Sequence, residues 1–177
     1  MKKVLILAIA AAIVMFMPSF ASAQTATGTL TVTATVQGSI GLVFNSDAAG
    51  VALSSGAGTN AATLAFGNVS AFGAISAGIV RSTTATNFTV SSAVDVNVTK
   101  TNSASANYTL KAQLGAADAV NTWSVGGIAV TSAAQSTLTA TGTYAANSNF
   151  PVAITIPFTT ASGTAISNTI NYTATAN

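Results

Sequence analysis

The sequence has 177 residues, half of them apolar and only 5% charged, with a formal net charge of +2 at pH 7 and neither Cys nor His. That composition excludes a disulfide-stapled scaffold, an ordinary zinc centre and a nucleophile activated by histidine. Abundant Val, Ile and Phe with so little charge also argues against a disordered chain.

The chain opens on Met1-Lys2-Lys3, continues through an unbroken apolar run from Val4 to Met17, and reaches Ala21-Ser22-Ala23 after Pro18-Ser19-Phe20. A basic start, an apolar stretch and a small-x-small site in that order predict a secretory signal over 1–23, cleaved between Ala23 and Gln24. The apolar run is shorter than the roughly 20 residues a spanning helix needs, and no membrane span is expected in the mature chain. Removing Lys2 and Lys3 leaves Arg81, Lys100 and Lys111 against Asp47, Asp95 and Asp118, a formally neutral protein. A phosphate-tracking surface needs clustered Lys and Arg, so no nucleic-acid partner is expected.

From residue 27 onward the dominant pattern is alternation. Leu30, Val32, Ala34 and Val36 fall on one side, and Thr29, Thr31, Thr33 and Thr35 on the other. Period two is the pattern of a strand with one buried and one wet face. Two strands are predicted here, about 27–37 and 39–45, with Gly38 as the break. Residues 45–60 read as a loop or loose hairpin. Short strands are expected at 63–67, 79–84 and 86–90, and 69–77 gives no clear signal. Val94, Val96 and Val98 alternate over 94–100, and Tyr108, Leu110 and Ala112 over 106–114. Trp123-Ser124-Val125, Gly126-Gly127 and Ile128–Val130 form a hairpin signal. Strands over 137–144, 150–158 and 166–174 complete the chain. Many short strands with turn residues between them point to an all-β antiparallel sandwich or barrel, organised as a 24–37 N-terminal strand and a single domain over 38–177.

Candidate chemistry is sparse. No Glu occurs, so the only carboxylate side chains are the three Asp, too few for a general acid/base or metal-ligating set to stand out. No cofactor is expected and the chain reads as a non-enzyme. Asp95 and Asn97 share a strand face, but one carboxylate makes a thin oxygen cage for calcium. Lys100 and Lys111 read as solubilising charges. Trp123, Tyr108, Tyr144 and Tyr172 are candidates for a sugar-stacking platform, although aromatics alternating with polar residues in strands read more simply as core. Asn-x-Ser/Thr triplets begin at Asn68, Asn87, Asn97, Asn107 and Asn171, compatible with glycosylation.

Residues 24–36 carry no charge to blunt an exposed strand edge. Such a segment pairs either within its own domain or, by strand addition, with another molecule's sheet. The second arrangement is head-to-tail and open, and an open head-to-tail contact grows a fibre.

Thr31-Val32-Thr33-Ala34-Thr35-Val36, Leu64-Ala65-Phe66-Gly67-Asn68-Val69, Trp123-Ser124-Val125-Gly126-Gly127 and Asn168-Thr169-Ile170-Asn171-Tyr172-Thr173-Ala174 together resemble the pilin-like β-sandwich subunits of chaperone–usher systems and spore-coat-U-type proteins. The resemblance implies an immunoglobulin-like sandwich missing one strand, which a neighbour's N-terminal extension fills. It implies Leu30, Val32, Ala34 and Val36 as the inserting side chains. The implied partners are copies of the chain or related subunits, together with a periplasmic chaperone and an outer-membrane assembly factor. The family's usual disulfide is absent, and Tyr172 stands further from the last residue than the family's aromatic. The expected function is thus a secreted subunit of a surface filament, pilus or coat. The rival expectation is a monomeric secreted binding module for carbohydrate or surface adhesion.

Overall fold

The computed structural model describes residues 27–177, and the predicted signal with its cleavage point at Ala23 and Gln24 lies outside the described residues. The chain divides into two compact units, Met1–Thr35 and Val36–Asn177. In the first, residues 27–35 form no strand and are exposed throughout, and the same holds for residues 36–38 at the start of the second. The strand predicted over 27–37 is therefore absent from the single chain. Alternation specifies which side chains share a face, but a strand also needs a partner for its backbone groups.

The second unit contains eleven strands and, among the described residues, no helix. They are β1 (Ser39–Ser46), β2 (Val80–Thr83), β3 (Asn87–Ser92), β4 (Val94–Thr101), β5 (Tyr108–Leu114), β6 (Thr122–Val125), β7 (Ile128–Val130), β8 (Ser136–Gly142), β9 (Asn147–Asn149), β10 (Val152–Pro157) and β11 (Ile170–Ala176). β1 begins directly after Gly38, the predicted break. A Cβ at Gly38 would fall 2.7 Å from the Asn102 carbonyl oxygen, so the chain enters β1 through a gap only glycine fits.

The strands form three antiparallel sheets, ordered β1-β4-β9, β2-β3-β10-β6-β7 and β11-β5-β8. The first two are joined by strands that continue from one into the other. Ser92 faces Val152 in one sheet and Asp95 faces Asn149 in the other, so the register runs unchanged through the corner. Phe88, Val90, Ser92, Val94, Val96 and Val98 are all buried along this one strand path. The partner path is interrupted at Phe150-Pro151, between β9 and β10. The strand predicted over 150–158 is formed as β10, which starts only at Val152 because Pro151 has no N–H to give to the ladder.

Buried side chains fill the space between this composite layer and the β11-β5-β8 sheet. One cluster joins Phe88, Val90, Val94, Trp123, Val125, Val130, Ile154 and Ile156 to Ala112 and Leu114 of β5. A second joins Val96 and Val98 of β4 to Tyr108 and Leu110 of β5. The arrangement is that of a β-sandwich, with β5 alternating Tyr108, Leu110, Ala112 and Leu114 into the core.

The β6–β7 hairpin matches its prediction. Gly126 and Gly127 have φ of 58° and 78°, the pair of positive values that a two-residue I′ turn requires. The strand predicted over 63–67 is not formed; only Thr63 makes an isolated bridge, to Ser55. Ser55 lies in the stretch predicted as a loose hairpin, and that loop folds back beside β1. Ser92, only 2% exposed, accepts a 2.7 Å bond from the Val51 N–H and ties the loop to the corner between sheets. Ser92→Ala would leave that N–H without its acceptor, and we expect a loss of about 1–3 kcal/mol, read as a lower denaturant midpoint with unchanged slope.

Candidate functional site

The two long sides of the sandwich differ. On one, β7 and its following turn are stitched to the opposite sheet. The Ser136 hydroxyl donates to the Ala129 carbonyl at 2.8 Å, and the Leu114 N–H donates to the Thr131 carbonyl at 3.1 Å. On the other side, β1 and β11 are edge strands of separate sheets and share no ladder.

The direction of the free backbone groups on this open side follows from the ladders. The Phe44 N–H donates to Thr59 and its carbonyl accepts from Gly58, so Phe44 points away from β4. Antiparallel pairs alternate between bonding inward and outward, which turns the backbone groups of Ile40 and Leu42 outward too. On β11, Thr169 accepts from Gly115 and Asn177 donates to Asn107, placing the odd-numbered residues in the β5 ladder. The N–H and carbonyl groups of Ile170, Tyr172 and Ala174 therefore face the open side. Their side chains, with Leu42 and Phe44, lie over the core but are only half-buried. Phe44 and Tyr172 meet edge-to-face with ring centroids 5.0 Å apart. Burial pushes the Tyr172 phenol pKa up, keeping this edge uncharged. The open side thus offers unpaired backbone groups on two flanks and apolar side chains at its floor, the features that accept an added strand.

The sequence-predicted donor residues are all exposed: Leu30 at 89%, Val32 at 81%, Val36 at 75%, with Ala34 between them. Leu30 to Val36 and Ile170 to Ala176 are both six residue steps, about 20 Å of extended chain. The alternating apolar set therefore has the length of the β11 edge.

Other candidates fall elsewhere. Tyr108 and Trp123 are buried, and Tyr144 and Tyr172 pack on the core, so the four do not form a surface platform. Asp95 and Asn97 are joined on the outer face of the first sheet by Asp47, Asn147 and Asn149. Asn149 Nδ2 donates to Asp47 at 2.7 Å and to Asp95 at 3.5 Å, and Asn147 Nδ2 donates to Asp95 at 3.2 Å. Among the described residues no group of three His, Cys, Asp or Glu side chains is placed to hold a metal. Lys100 stays exposed, as expected of a solubilising charge, and also donates to the Ser105 carbonyl and lies 5.0 Å from the Tyr144 ring centroid. Asn68 is exposed in a loop, whereas Asn87, Asn97 and Asn107 are half-buried.

Two features escaped sequence reading. Asp118 is a hydrogen-bond hub, accepting from the backbone N–H of Val120 and Asn121, from Asn121 Nδ2 and, at 2.8 Å, from Trp123 Nε1. Burial opposes its ionisation, but these donors outweigh that and hold its carboxyl at about 2. The second is an aromatic file running out of the core. Buried Phe88 stacks on Phe158, with centroids 6.3 Å apart, and Phe158 meets Phe72 at 6.0 Å. Phe72 is 73% exposed. Its loop is held by Arg81, whose guanidinium donates to the carbonyls of Ser70 and Gly73 at 2.9 and 2.8 Å. The only sequence signal was one Phe among small residues over 69–77. Among the described residues, no helix is long and apolar enough to cross a membrane.

No protein family, no curated protein and no solved structure matches this chain.

Proposed function

We propose that this chain is an exported, non-enzymatic structural subunit that assembles into a surface filament, pilus or coat by β-strand donation. Leu30, Val32, Ala34 and Val36 of one copy insert between β1 and β11 of the next. The carrying observation is the open side of the sandwich. It has unpaired outward backbone on β1 and β11 over half-buried Leu42, Phe44, Ile170, Tyr172 and Ala174, while the chain itself bears an uncharged, exposed segment of matching period and length. A single added strand, parting β1 from β11 where Phe44 now meets Tyr172, would satisfy both edges and cover the floor, the arrangement expected of an immunoglobulin-like sandwich missing one strand. This is the reading under which the resemblance to pilin-like and spore-coat-U-type subunits has a structural meaning. An export signal over 1–23, as the sequence predicts, would put assembly outside the cytoplasm. In a cell with an outer membrane, a periplasmic chaperone would cover the same open side before assembly.

The rival binding-module reading drew on the aromatics and on Asn/Thr-rich loops, and it is less favoured because Tyr108 and Trp123 are buried and Tyr144 and Tyr172 pack half-buried on the core. Catalysis finds no better footing, since Asp118 is saturated with donors and Asp47 and Asp95 are engaged by asparagine amides.

The test is assembly of the mature protein with and without residues 24–37, followed by electron microscopy and sedimentation. We expect the intact protein to form fibres or large particles. The shortened one should remain a monomer that binds a 24–37 peptide, with a raised Tm on binding. A stable monomer from the intact protein at high concentration, or a shortened protein that assembles equally well, would overturn the proposal.

A further inference from the structure

The domain has two ends, and the chain uses them differently. At the near end lie the first residue of β1, the last of β4 and the last of β11. Ser39 pairs with Thr101, and Ala176 pairs with Tyr108. At the far end lie the start of β3, the end of β10 and the start of β11, where Asn87 pairs with Pro157 and Ile170 with Leu114. The N-terminal segment joins the domain through Gly38, at the near end.

The aromatic file of Phe88, Phe158 and Phe72 emerges at the far end, since Phe158 directly follows β10 and its N–H donates to Thr86 just ahead of β3. Val120 is 59% exposed there and lines a shallow cavity of about 310 Å³ with Thr160 and Ile166. Phe72, Phe158 and Val120 thus give this end an apolar surface that the domain itself leaves open to water.

A strand entering between β1 and β11 has two possible directions. β11 runs from the far end to the near end, and β1 runs the opposite way. A donor antiparallel to β11 enters at the near end and finishes at the far end. The donor's own domain, which follows it at Gly38, then sits against the far end. A donor parallel to β11 would instead bring two near ends together and leave the aromatic file in water. The free edge favours the first arrangement. β11 offers outward backbone at Ile170, Tyr172 and Ala174, whereas β1 offers Ile40 and Leu42 before Thr59 and Gly58 occupy Phe44. Antiparallel pairing on the longer free edge is the more stable choice.

Resting on the strand-donation reading, we infer that the Phe72–Phe158 face is the seat for the near end of a second copy, and that the donated strand runs antiparallel to β11. Arg81 has a role in this contact: by gripping the carbonyls on both sides of the 71–72 turn it fixes Phe72 outward before the partner arrives, which lowers the ordering cost of association.

Because the protein has no cysteine, single introduced thiols report the contact cleanly. Ala74 and Ala104 are exposed positions in the far-end and near-end loops. Assembled from equal amounts of Ala74→Cys and Ala104→Cys proteins and oxidised, the polymer should yield the mixed disulfide dimer, with little Ala104–Ala104 dimer. Predominant Ala104–Ala104 dimer would mean that near ends meet, overturning this inference while strand donation stands. Independently, Phe72→Ser should keep the monomer's Tm and its ability to bind the 24–37 peptide while lowering the assembly rate at least tenfold. Unchanged assembly by Phe72→Ser would overturn the inference. Failure of the peptide to bind the unmutated shortened domain would instead count against the donation reading itself.

Discussion

Gly142→Ala will destabilise the domain by about 1–3 kcal/mol, because overpacking a filled core forces backbone or side chains out of place. Gly142 is buried opposite Tyr108 across the β5–β8 ladder, and a Cβ there would penetrate the phenol ring, which lies directly over the glycine. Neither partner has room to yield. Tyr108 is fully buried between the two layers, with Tyr144 at 5.3 Å on one side. The expected readout is a fall in Tm of roughly 2–4 °C for each kcal/mol in a domain of this size. Two companions make the cause specific. In a Tyr108→Ala background the added methyl should cost little, so a double-mutant cycle will show strong coupling between the two sites. Tyr108→Phe should stabilise the protein, since the Tyr108 hydroxyl is buried without a hydrogen-bond partner and an unsatisfied buried group is a net cost. If Gly142→Ala melts within a degree of the unmutated protein, the close approach of ring and backbone is wrong.

Asp118→Ala will remove the acceptor of four donors at the far end of the sandwich. The largest loss is at Trp123, which is 6% exposed and has its indole N–H on Asp118. An orphaned buried donor costs about 1–3 kcal/mol, and Asp118→Asn should fall between the two, since an amide keeps one acceptor oxygen. The effect has a pH signature. The Asp118 carboxyl is held at about 2 against an ordinary 3.8, mainly through the Asn121 N–H and the Trp123 indole acting against burial. A group with a depressed folded-state pKa binds its proton more readily when unfolded. Its contribution is therefore complete above about pH 4 and fades as pH falls towards 2. Melting curves between pH 6 and pH 2 should show the unmutated protein losing its advantage over Asp118→Ala across that window. A gap that stays constant down to pH 2 would remove Asp118 from this role.

Much of the strand content was legible because alternation was regular. β4 and β5 bury the residues that their period-two patterns put on one face, and the β6–β7 turn followed from two adjacent glycines. Two misreadings have distinct physical origins. Residues 27–37 alternate as cleanly as β5, yet alternation is a statement about faces, and partner choice is not encoded in it. The 63–67 stretch has strand-like composition but meets the rest of the chain at a single bridge.

The candidate site was half legible. The inserting residues Leu30, Val32, Ala34 and Val36 could be named from spacing. The receiving edge could not, because it is created when β1 and β11, from opposite ends of the domain sequence, come to border the same opening. The aromatic file was hidden for a similar reason. Phe72, Phe88 and Phe158 are far apart in the chain, and only the Asn87–Pro157 pairing brings them into line. Asp118 looked like an isolated carboxylate until the turn over 118–123 wrapped its donors around it.

The unbroken register of β3–β4 against β9–β10 has a mechanical consequence. Its strands run lengthwise, from the far end of the domain towards the near one, and hydrogen bonds in an antiparallel ladder lie perpendicular to the strands. A tensile load applied between the two ends would therefore act on this ladder in shear. Every rung would have to fail together, where a transverse pull would peel them one at a time. With no ion pair contributing to the pairing, that resistance should be nearly independent of salt.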